Sequence, residues 1–146
     1  MNINKHSGFT LVELVMVMAI IGVLLAVGIP QYSDYMERSR RADGTSTLLD
    51  YAAEQEKWFF SRNTYTNTRG NLGPANSPEG FYAMTLDNNV GGLTCRGATP
   101  FNCFEIFATA QGRQGGDEDC ALFSIDHTGA KKAWDTGGSR NDDVCW

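Results

Sequence analysis

The sequence has little of the side-chain chemistry that enzymes use. Only two histidines occur, His6 near the N-terminus and His127, which follows Asp126 in a segment rich in turn-forming residues. Nucleophilic catalysis requires a base and an orienting group that converge on the nucleophile. Phosphate-binding and dinucleotide-binding motifs require a glycine-rich turn between a strand and a helix. That context is absent around Gly112, Gly115, Gly116, Gly137 and Gly138. The sequence therefore argues against an enzyme, and it predicts no cofactor.

Positive charge is also in short supply. Lysine and arginine total 12 against 17 aspartates and glutamates, so the formal net charge is −5. An acidic surface disfavours general electrostatic binding to nucleic acid. The distal part of the chain offers one basic group, formed by Lys131, Lys132 and Arg140. Nucleic acid is therefore not an expected partner.

A long apolar run dominates the N-terminal part of the chain. From Phe9 to Ile29 the only ionisable residue is Glu13, and Pro30 follows directly. As a helix with a rise of ~1.5 Å per residue, this run would extend roughly 30 Å, the thickness of the hydrocarbon core of a bilayer. The run is predicted to be a membrane-spanning helix.

Two features distinguish this helix from an ordinary signal peptide. A short polar leader, residues 1–8, precedes the apolar run, whereas a signal peptide has its cleavage site after the run. Cleavage after Gly8 would leave the helix on the mature protein, with Phe9 at its N-terminus. A carboxylate inside a membrane helix costs about 3 kcal/mol or more and needs a partner. The Phe9 amine of a neighbouring subunit is the expected partner of Glu13.

These residues resemble the type IV pilins and their filament relatives. The prepilin motif matches at Gly8, Phe9, Thr10, Leu11, Val12 and Glu13, and Pro30 stands at the family position. The resemblance implies that a prepilin peptidase cleaves after Gly8 and methylates the Phe9 amine. It implies roles in assembly for Glu13 and Pro30. It also implies that the pilus assembly machinery moves the subunit from the inner membrane into a helical filament of pilin subunits.

The four cysteines lie in the last third of the chain, at Cys95, Cys103, Cys120 and Cys145. If the membrane helix inserts with Lys5 on the cytoplasmic side, this part lies in an oxidising compartment, where disulfides form. A zinc site would need close pairs such as Cys-x-x-Cys, which are absent, so no metal is expected. We favour Cys95 with Cys103, which closes a short loop, and Cys120 with Cys145, which pins the C-terminus. The sequence alone leaves the other pairings open.

After Pro30 the apolar residues keep a three-and-four spacing as far as Phe60. The pattern predicts one helix of roughly 50 residues, which Pro30 kinks or loosens without ending it. Gly44 weakens the second half locally. This second half is amphipathic and is expected to pack on a domain.

Two clusters on this helix allow more than one interpretation. Arg38, Arg40 and Arg41 are interpreted as a solvated face or a headgroup anchor, with contact between subunits as the alternative. Trp58, Phe59 and Phe60 are interpreted as core residues at the helix end, with a binding surface as the alternative.

The remaining chain reads as a loop followed by strands. Residues 63–74 are rich in turn formers and occupy the position of the αβ-loop of pilins. Strands are predicted at 81–86, 104–110 and 121–125, and the last one turns at 126–129 toward 130–134. An antiparallel sheet of three or four strands is therefore expected.

The C-terminal region indicates which group of pilins the chain resembles. Asp117, Glu118 and Asp119 offer oxygen atoms to Ca²⁺, as the calcium loop of type II secretion pseudopilins does, but a solvated acidic loop is the simpler interpretation. Cys120 and Cys145 enclose this region, as the disulfide-bounded D-region does in pilins. The terminal Cys145-Trp146 resembles PilE-type minor pilins, whereas Cys95 and Cys103 are an additional pair.

The predicted fold is α+β, with a long N-terminal α-helix whose first half spans the membrane, packed on a C-terminal antiparallel sheet. The expected domains are a leader at 1–8, a membrane and filament-core helix at 9–30, and a globular pilin domain at 31–146.

The expected function is a structural, minor subunit of a type IV pilus that supports adhesion, twitching motility or DNA uptake. The alternatives are a type II secretion pseudopilin and a DNA-binding competence pilin. Before assembly the N-terminus is expected in the cytoplasm and the C-terminal domain in the periplasm; after assembly the subunit is extracellular.

Overall fold

The computed structural model describes residues 8–87, 89–90, 93–94 and 101–146. Helix α1 extends over Leu11–Arg62, and a 3-10 helix, Arg69–Asn71, follows it. The strands are β1 (Tyr82–Asp87), β2 (Asn89–Val90), β3 (Leu93–Thr94), β4 (Glu105–Ala110), β5 (Leu122–Asp126) and β6 (Lys131–Trp134). A second 3-10 helix, Gly112–Gly116, follows β4, and helix α2 (Asp142–Cys145) lies at the C-terminus.

Helix α1 has defined ends and continues through Pro30. At its start the backbone N–H of Glu13 donates a hydrogen bond to Thr10 Oγ1 at 3.2 Å, which caps the first turn. At its end Asn63 has a φ of 55°, a left-handed conformation that commonly terminates helices. The helix is 52 residues long, which confirms the single long helix predicted from the periodicity.

The chain divides into two compact units. The first ends at Met36, and the second, called here the globular unit, is Glu37–Trp146. The boundary expected from the sequence, after residue 30, lies earlier in α1. From Phe9 to Ile29 the large apolar side chains are exposed, from 44% at Ile21 to 85% at Phe9. By length and composition this part of α1 is able to cross a membrane.

The main sheet of the globular unit has four antiparallel strands in the order β1-β4-β5-β6. In its register Tyr82 pairs with Ala110 and Phe123 pairs with Ala133. The four predicted strands match β1, β4, β5 and β6 to within a residue at each end, which confirms the predicted sheet. Strands β2 and β3 pair with each other and were not predicted, because strands of two residues are too short to show alternation.

The core lies between the second half of α1 and one face of this sheet. Leu48 and Tyr51 of α1 are buried together with Tyr82, Ile106 and Phe123 of the strands. Gly44 is essential to this packing, because a Cβ added there would lie 2.8 Å from the ring of Tyr82. The glycine that the sequence marks only as a weak point of the helix therefore lets the helix approach β1 closely.

The loop between α1 and β1 is fastened to the helix at two places. The Gln55 side chain accepts a hydrogen bond from Thr66 N and donates one to Thr66 O, both at 3.0 Å. The Asp43 carboxylate accepts hydrogen bonds from Ser77 Oγ at 2.5 Å and Glu79 N at 3.2 Å. Two buried polar side chains of the helix thus hold a loop that the sequence predicted only as irregular.

Candidate functional site

The first candidate site is the N-terminal end of α1. Gly8 and Phe9 precede the helix and have no regular structure, and Phe9 is 85% exposed. The rest of the leader, residues 1–7, lies outside the described residues. A peptide bond between Gly8 and Phe9 is thus presented in an irregular, exposed segment, which is the form of backbone that a peptidase can bind.

Glu13 lies in the first turn of the same helix and is exposed. Phe9, Glu13, Leu14 and Val17 line one shallow depression of about 220 Å³. Within the described residues, the Glu13 carboxylate has no ion-pair partner, since every salt bridge found there joins residues of the globular unit. The carboxylate is therefore open to a cation supplied by another molecule.

In the globular unit a buried ion pair ties the C-terminal half to α1. Arg41 donates two hydrogen bonds to the Asp117 carboxylate, at 2.7 and 2.8 Å. Gln114 Nε2 and Cys120 N donate to the same carboxylate at 2.8 and 3.1 Å. The hydrogen bonds with Asp117 raise the pKa of Arg41 above its ordinary value. The interpretation of Arg41 as a solvated or lipid-bound side chain is therefore wrong.

The same contacts bear on the calcium alternative. The Asp117 carboxylate is 1% exposed and is already occupied by Arg41, so it is not available as a metal ligand. Asp119 lies 3.8 Å from the same guanidinium. Over the residues that the structure describes, no group of three or more histidine, cysteine, aspartate or glutamate side chains is placed to hold a metal ion.

The C-terminal segment is closed by a disulfide between Cys120 and Cys145, with a Cα–Cα distance of 5.7 Å. This is the pairing favoured from the sequence. Cys95 lies outside the described residues, so its pairing with Cys103 stays a prediction. The segment lies along β6: Asn141 N donates to Ala133 O at 3.0 Å, and Ala133 N donates to Asp142 Oδ1 at 2.6 Å. It therefore covers the free edge of the sheet.

The basic group expected from the sequence is divided among three environments. Lys132 lies 3.0 Å from Glu105 and 3.4 Å from Asp126. Burial lowers the pKa of Lys132, but the hydrogen bond and charge of Glu105 outweigh it, so the net direction is upward. Lys131 lies over the ring of Trp146 at 4.7 Å, and Arg140 lies over Trp134 at 5.2 Å and pairs with Asp142. Of these three described residues, Lys131 and Arg140 are exposed and accessible to an anionic partner, and Lys132 is half-buried.

Asp126 and His127 form the turn between β5 and β6, as the sequence predicts. Asp126 Oδ1 accepts hydrogen bonds from Thr128 N at 2.9 Å and Ala130 N at 3.2 Å. Burial raises the pKa of Asp126, but these hydrogen bonds and the one from Lys132 lower it by more. The net shift of the pKa is therefore downward. The His127 ring packs on Phe104 with centroids 6.5 Å apart. Both residues therefore have structural roles.

The aromatic cluster at the end of α1 is split. Phe59 packs on Tyr65, with ring centroids 4.7 Å apart, and Arg62 lies 3.8 Å over the ring of Trp58. Phe60 points outward and is 94% exposed. The core interpretation holds for Phe59 and fails for Phe60.

Comparison with protein families gives two matches that together cover most of the chain. The family described as the prokaryotic N-terminal methylation motif matches residues 3–29. The family described as type IV minor pilin ComP, DNA uptake sequence receptor, matches residues 30–124.

Individual relatives agree with these families. The type IV major pilin protein PilA of Myxococcus xanthus is 29% identical over 94 residues, which cover 64% of this chain and 43% of that protein. The type IV major fimbrial protein FimA of Dichelobacter nodosus is 59% identical over 43 residues, which cover 30% of this chain and 27% of that protein. The chain thus spans less than half the length of either relative. In fold it is similar to the Neisseria meningitidis non-core minor pilin PilV, with a TM-score of 0.52 and 22% identity over 72% of this chain and 93% of that one.

Proposed function

The chain belongs to the type IV pilins, which are structural subunits and not enzymes, and on that premise we propose that it is a minor pilin that is cleaved after Gly8 and guided into the filament by Glu13. Its apolar helix anchors it in a membrane before it joins other pilins in a surface pilus. A prepilin peptidase removes the leader and methylates the Phe9 amine. The globular unit lies in the periplasm before the assembly machinery moves the subunit into the fibre.

The observation that carries this proposal is the exposure of the helix from Phe9 to Ile29. Leu11 is 81% exposed and Leu24 66%, with a single carboxylate, Glu13, in the whole stretch. Burying one such side chain is worth about 1.5–3 kcal/mol, so a stretch of this kind is not stable in water. A bilayer covers it before assembly, and the helices of neighbouring subunits cover it in the filament.

The Glu13 carboxylate sets the axial position of a subunit relative to its neighbours in the filament. Cleavage after Gly8 creates an α-amine four residues before Glu13, at the depth of the carboxylate on neighbouring helices. Thr10 Oγ1 caps the helix through the backbone N–H of Glu13 and leaves the carboxylate free. In a low-dielectric filament core an unpaired charge is costly, and an ion pair with the Phe9 amine of a neighbour offsets both charges. A subunit displaced along the axis would lose this pair.

The test compares Glu13→Val, Glu13→Gln and Glu13→Asp in cells that also make wild-type subunit. The measurement is the amount of each variant in sheared surface filaments divided by the amount in the inner membrane. We expect Glu13→Val and Glu13→Gln to stay in the membrane and to be largely missing from filaments, with Glu13→Asp in between. Glu13→Gln is the decisive control, because it keeps the size and the hydrogen-bonding capacity of the side chain and removes only the charge.

Normal incorporation of Glu13→Gln would show that the charge does not guide assembly. Processing is read separately by mass spectrometry of the fibre protein. The expected mature chain begins at a methylated Phe9, and Gly8→Val should block its formation because a β-branched side chain obstructs the peptidase. A fibre protein that still begins at Met1 would contradict the processing step.

DNA binding is a second candidate function, favoured by the family match over residues 30–124, whose description names a DNA uptake sequence receptor. The net charge of −5 opposes it. Within the distal basic group, Lys131 and Arg140 are accessible and each is stacked on a tryptophan, an arrangement able to contact phosphate. Both lie beyond the matched residues.

The affinity of the detergent-purified full chain for duplex DNA, measured over a range of salt concentrations, tests this candidate. If Lys131 and Arg140 contact phosphates, Lys131→Gln and Arg140→Gln should each reduce the salt slope by about one. Lys57→Gln is the matched control, because Lys57 is an exposed lysine on α1 and is not part of the distal basic group. Absence of salt-dependent binding by the wild-type chain would reject this candidate and leave the proposed assembly role unaffected.

A further inference from the structure

An exposed tip after β4 carries Arg113 to the place where the globular unit begins. The tip is the second 3-10 helix, Gly112–Gly116, and Arg113 on it is exposed. Gln114 is the buried residue of this helix, and its Nε2 donates to Glu37 O at 3.2 Å and to Asp117 Oδ2 at 2.8 Å. The tip is therefore fastened to the first residue of the globular unit.

Arg38 lies on α1 beside this fastening. It directly follows Glu37, and Arg113 directly precedes Gln114, so one hydrogen bond joins the chain neighbours of the two arginines. Arg38 is exposed, and over the described parts of the chain neither Arg38 nor Arg113 takes part in an ion pair. The fold thus brings two free guanidinium groups from distant parts of the sequence to one region. They are called here the arginine pair.

Free positive charge predominates around the arginine pair. Arg40 is half-buried over an aromatic ring and, among the residues that the structure describes, is in no ion pair either. Arg41 is compensated by Asp117 and Asp119. Two further carboxylates belong to this region, those of Glu37 and Glu79. The three unpaired arginines outnumber them, so the region favours an anionic partner.

The arginine pair follows closely on the part of α1 that is able to cross a membrane. The apolar run ends at Ile29, and it is followed by Tyr32 and Tyr35, which are 66% and 69% exposed. Tyrosine is enriched at the boundary between lipid and water, so these two rings mark that boundary along the helix. Arg38 follows Tyr35 by three residues, about 4.5 Å along a helix. Long side chains near the ends of membrane helices extend to the headgroup layer.

We propose that the arginine pair binds the anionic phospholipid headgroups of the membrane that holds α1, and keeps the globular unit at that membrane until the subunit is extracted. The proposal rests on the membrane anchoring of α1 in the proposed function. The planar fork of donors on a guanidinium group matches the oxygen atoms of a phosphate. Because Gln114 already holds the tip in place, lipid binding does not have to order it, which removes one of the usual costs of binding.

The full chain reconstituted into vesicles tests this contact. Gly115→Cys carries a fluorescent label on the tip, since Gly115 is exposed and an added Cβ there meets no atom within 4 Å. Quenching by a lipid with a quencher on its headgroup is compared between phosphatidylcholine vesicles and vesicles that also contain phosphatidylglycerol. We expect stronger quenching with phosphatidylglycerol. The difference should disappear at high salt, because salt screens attraction between exposed charges.

Variants show whether the arginine pair causes this quenching. Each basic side chain at an anionic surface contributes about fivefold, so Arg38→Gln with Arg113→Gln should lower the ratio of docked to undocked chains about thirtyfold. Lys57→Gln is the matched control, because Lys57 is an exposed lysine farther along α1, and it should leave the ratio unchanged. Equal quenching in the two kinds of vesicle, or no effect of the double variant, would overturn the proposal. Release of the tip by inorganic phosphate, but not by chloride at the same ionic strength, would also overturn it, because the site would then bind the free ion.

Contact with other subunits is the competing role of these arginines, and filaments distinguish the two. In cells that also make wild-type subunit, the double variant should have a ratio between filament and inner membrane at least as high as the wild type. The reason is that a lipid contact is given up when the subunit leaves the membrane. A lower ratio would mean that the arginines bind other subunits, and the proposal would be wrong. A wild-type chain that floated with neither kind of vesicle would contradict the membrane anchoring itself, and the proposal with it, so the two failures give different results.

Discussion

The two units of the molecule use similar apolar residues in opposite ways. In the first unit Leu14 is 61% exposed and Val23 67%, whereas in the globular unit Leu48 and Phe123 are fully buried. Among the described residues 8–36, the hydrogen bonds are those of α1 and its Thr10 cap, and the surroundings must cover the apolar side chains. The globular unit buries its own core. The hydrophobicity of a residue alone therefore does not show whether it is buried within its own domain or is covered by a surrounding medium.

Charged residues follow the same division. Glu13 has no ion-pair partner among the described residues, while the globular unit joins Arg41 to Asp117 and Lys132 to Glu105 internally. Changes in the globular unit should thus lower its free energy of unfolding. Changes in the first unit should affect assembly and leave the stability of the globular unit unaltered. Substitutions on each side test this division.

The largest loss of stability is expected for Asp117→Ala. It leaves the buried Arg41 guanidinium without its carboxylate, and removing one partner of a buried ion pair costs about 3–5 kcal/mol. Denaturant unfolding of the full chain in detergent, followed by tryptophan fluorescence, measures the change.

The double variant Arg41→Met with Asp117→Leu is the control for this effect. It removes both charges, so most of the lost stability should return. Asp117→Ala with wild-type stability would mean that the pair does not hold the C-terminal half to α1.

Cys145→Ser should cost the globular unit about 3 kcal/mol, because the disulfide with Cys120 closes a long loop in the unfolded chain. The sequence separation of the two cysteines is 25. The measurement is the unfolding midpoint without reductant, with reduced wild-type protein as the comparison. Peptide mapping that found Cys120 and Cys145 as free thiols would refute the pairing.

The same substitution in the two units should have opposite effects at Gly44 and Gly22. Gly44→Ala forces a methyl group toward the Tyr82 ring at 2.8 Å, and such overpacking costs about 1–3 kcal/mol. Gly22 has no atom within 4 Å of an added Cβ, so Gly22→Ala should only gain helix propensity, about 1 kcal/mol. Circular dichroism on heating measures both. Equal effects at the two glycines would contradict the division between the units.

The smallest expected effect is a pH dependence from Asp126. Its folded-state pKa is lowered, so its contribution to stability is present above its ordinary pKa of about 3.9 and is lost as the pH falls through the lower folded value. Asp126→Asn should therefore be less stable than the wild type near neutral pH, and the difference should shrink in acid. Unfolding midpoints at a series of pH values give the comparison; a difference that grew in acid would exclude this role of the carboxylate.

Features that depend on neighbours along the chain could be read from the sequence. The apolar run from Phe9 to Ile29, the isolated Glu13 and the three-and-four spacing up to Phe60 predicted the long helix. Alternation and turn residues located the four strands, because these patterns express backbone geometry over a few residues. The short strands β2 and β3 have no such pattern and were missed.

Features that join distant segments could not be read in this way. Arg41 and Asp117 are 76 residues apart, and nothing near either one distinguishes a buried partner from a solvated charge. From the sequence, Gly44 is only a position of low helix propensity. The structure shows that the absence of a side chain there lets the ring of Tyr82 pack against the helix. Of three adjacent aromatic residues, only Phe60 proved to face solvent.

The sequence by itself determined that this chain has a helix able to lie in an apolar medium, a carboxylate in that helix, an N-terminal methylation motif and an antiparallel sheet. Each of these follows from local residue order. The tertiary structure alone decided which charges are buried and which glycine lets an aromatic ring pack against α1. It also decided that a groove lies between α1 and the loop before β1. Those properties arise when segments that are far apart in the chain exclude water from the space between them, and the free energy of that exclusion depends on both surfaces together.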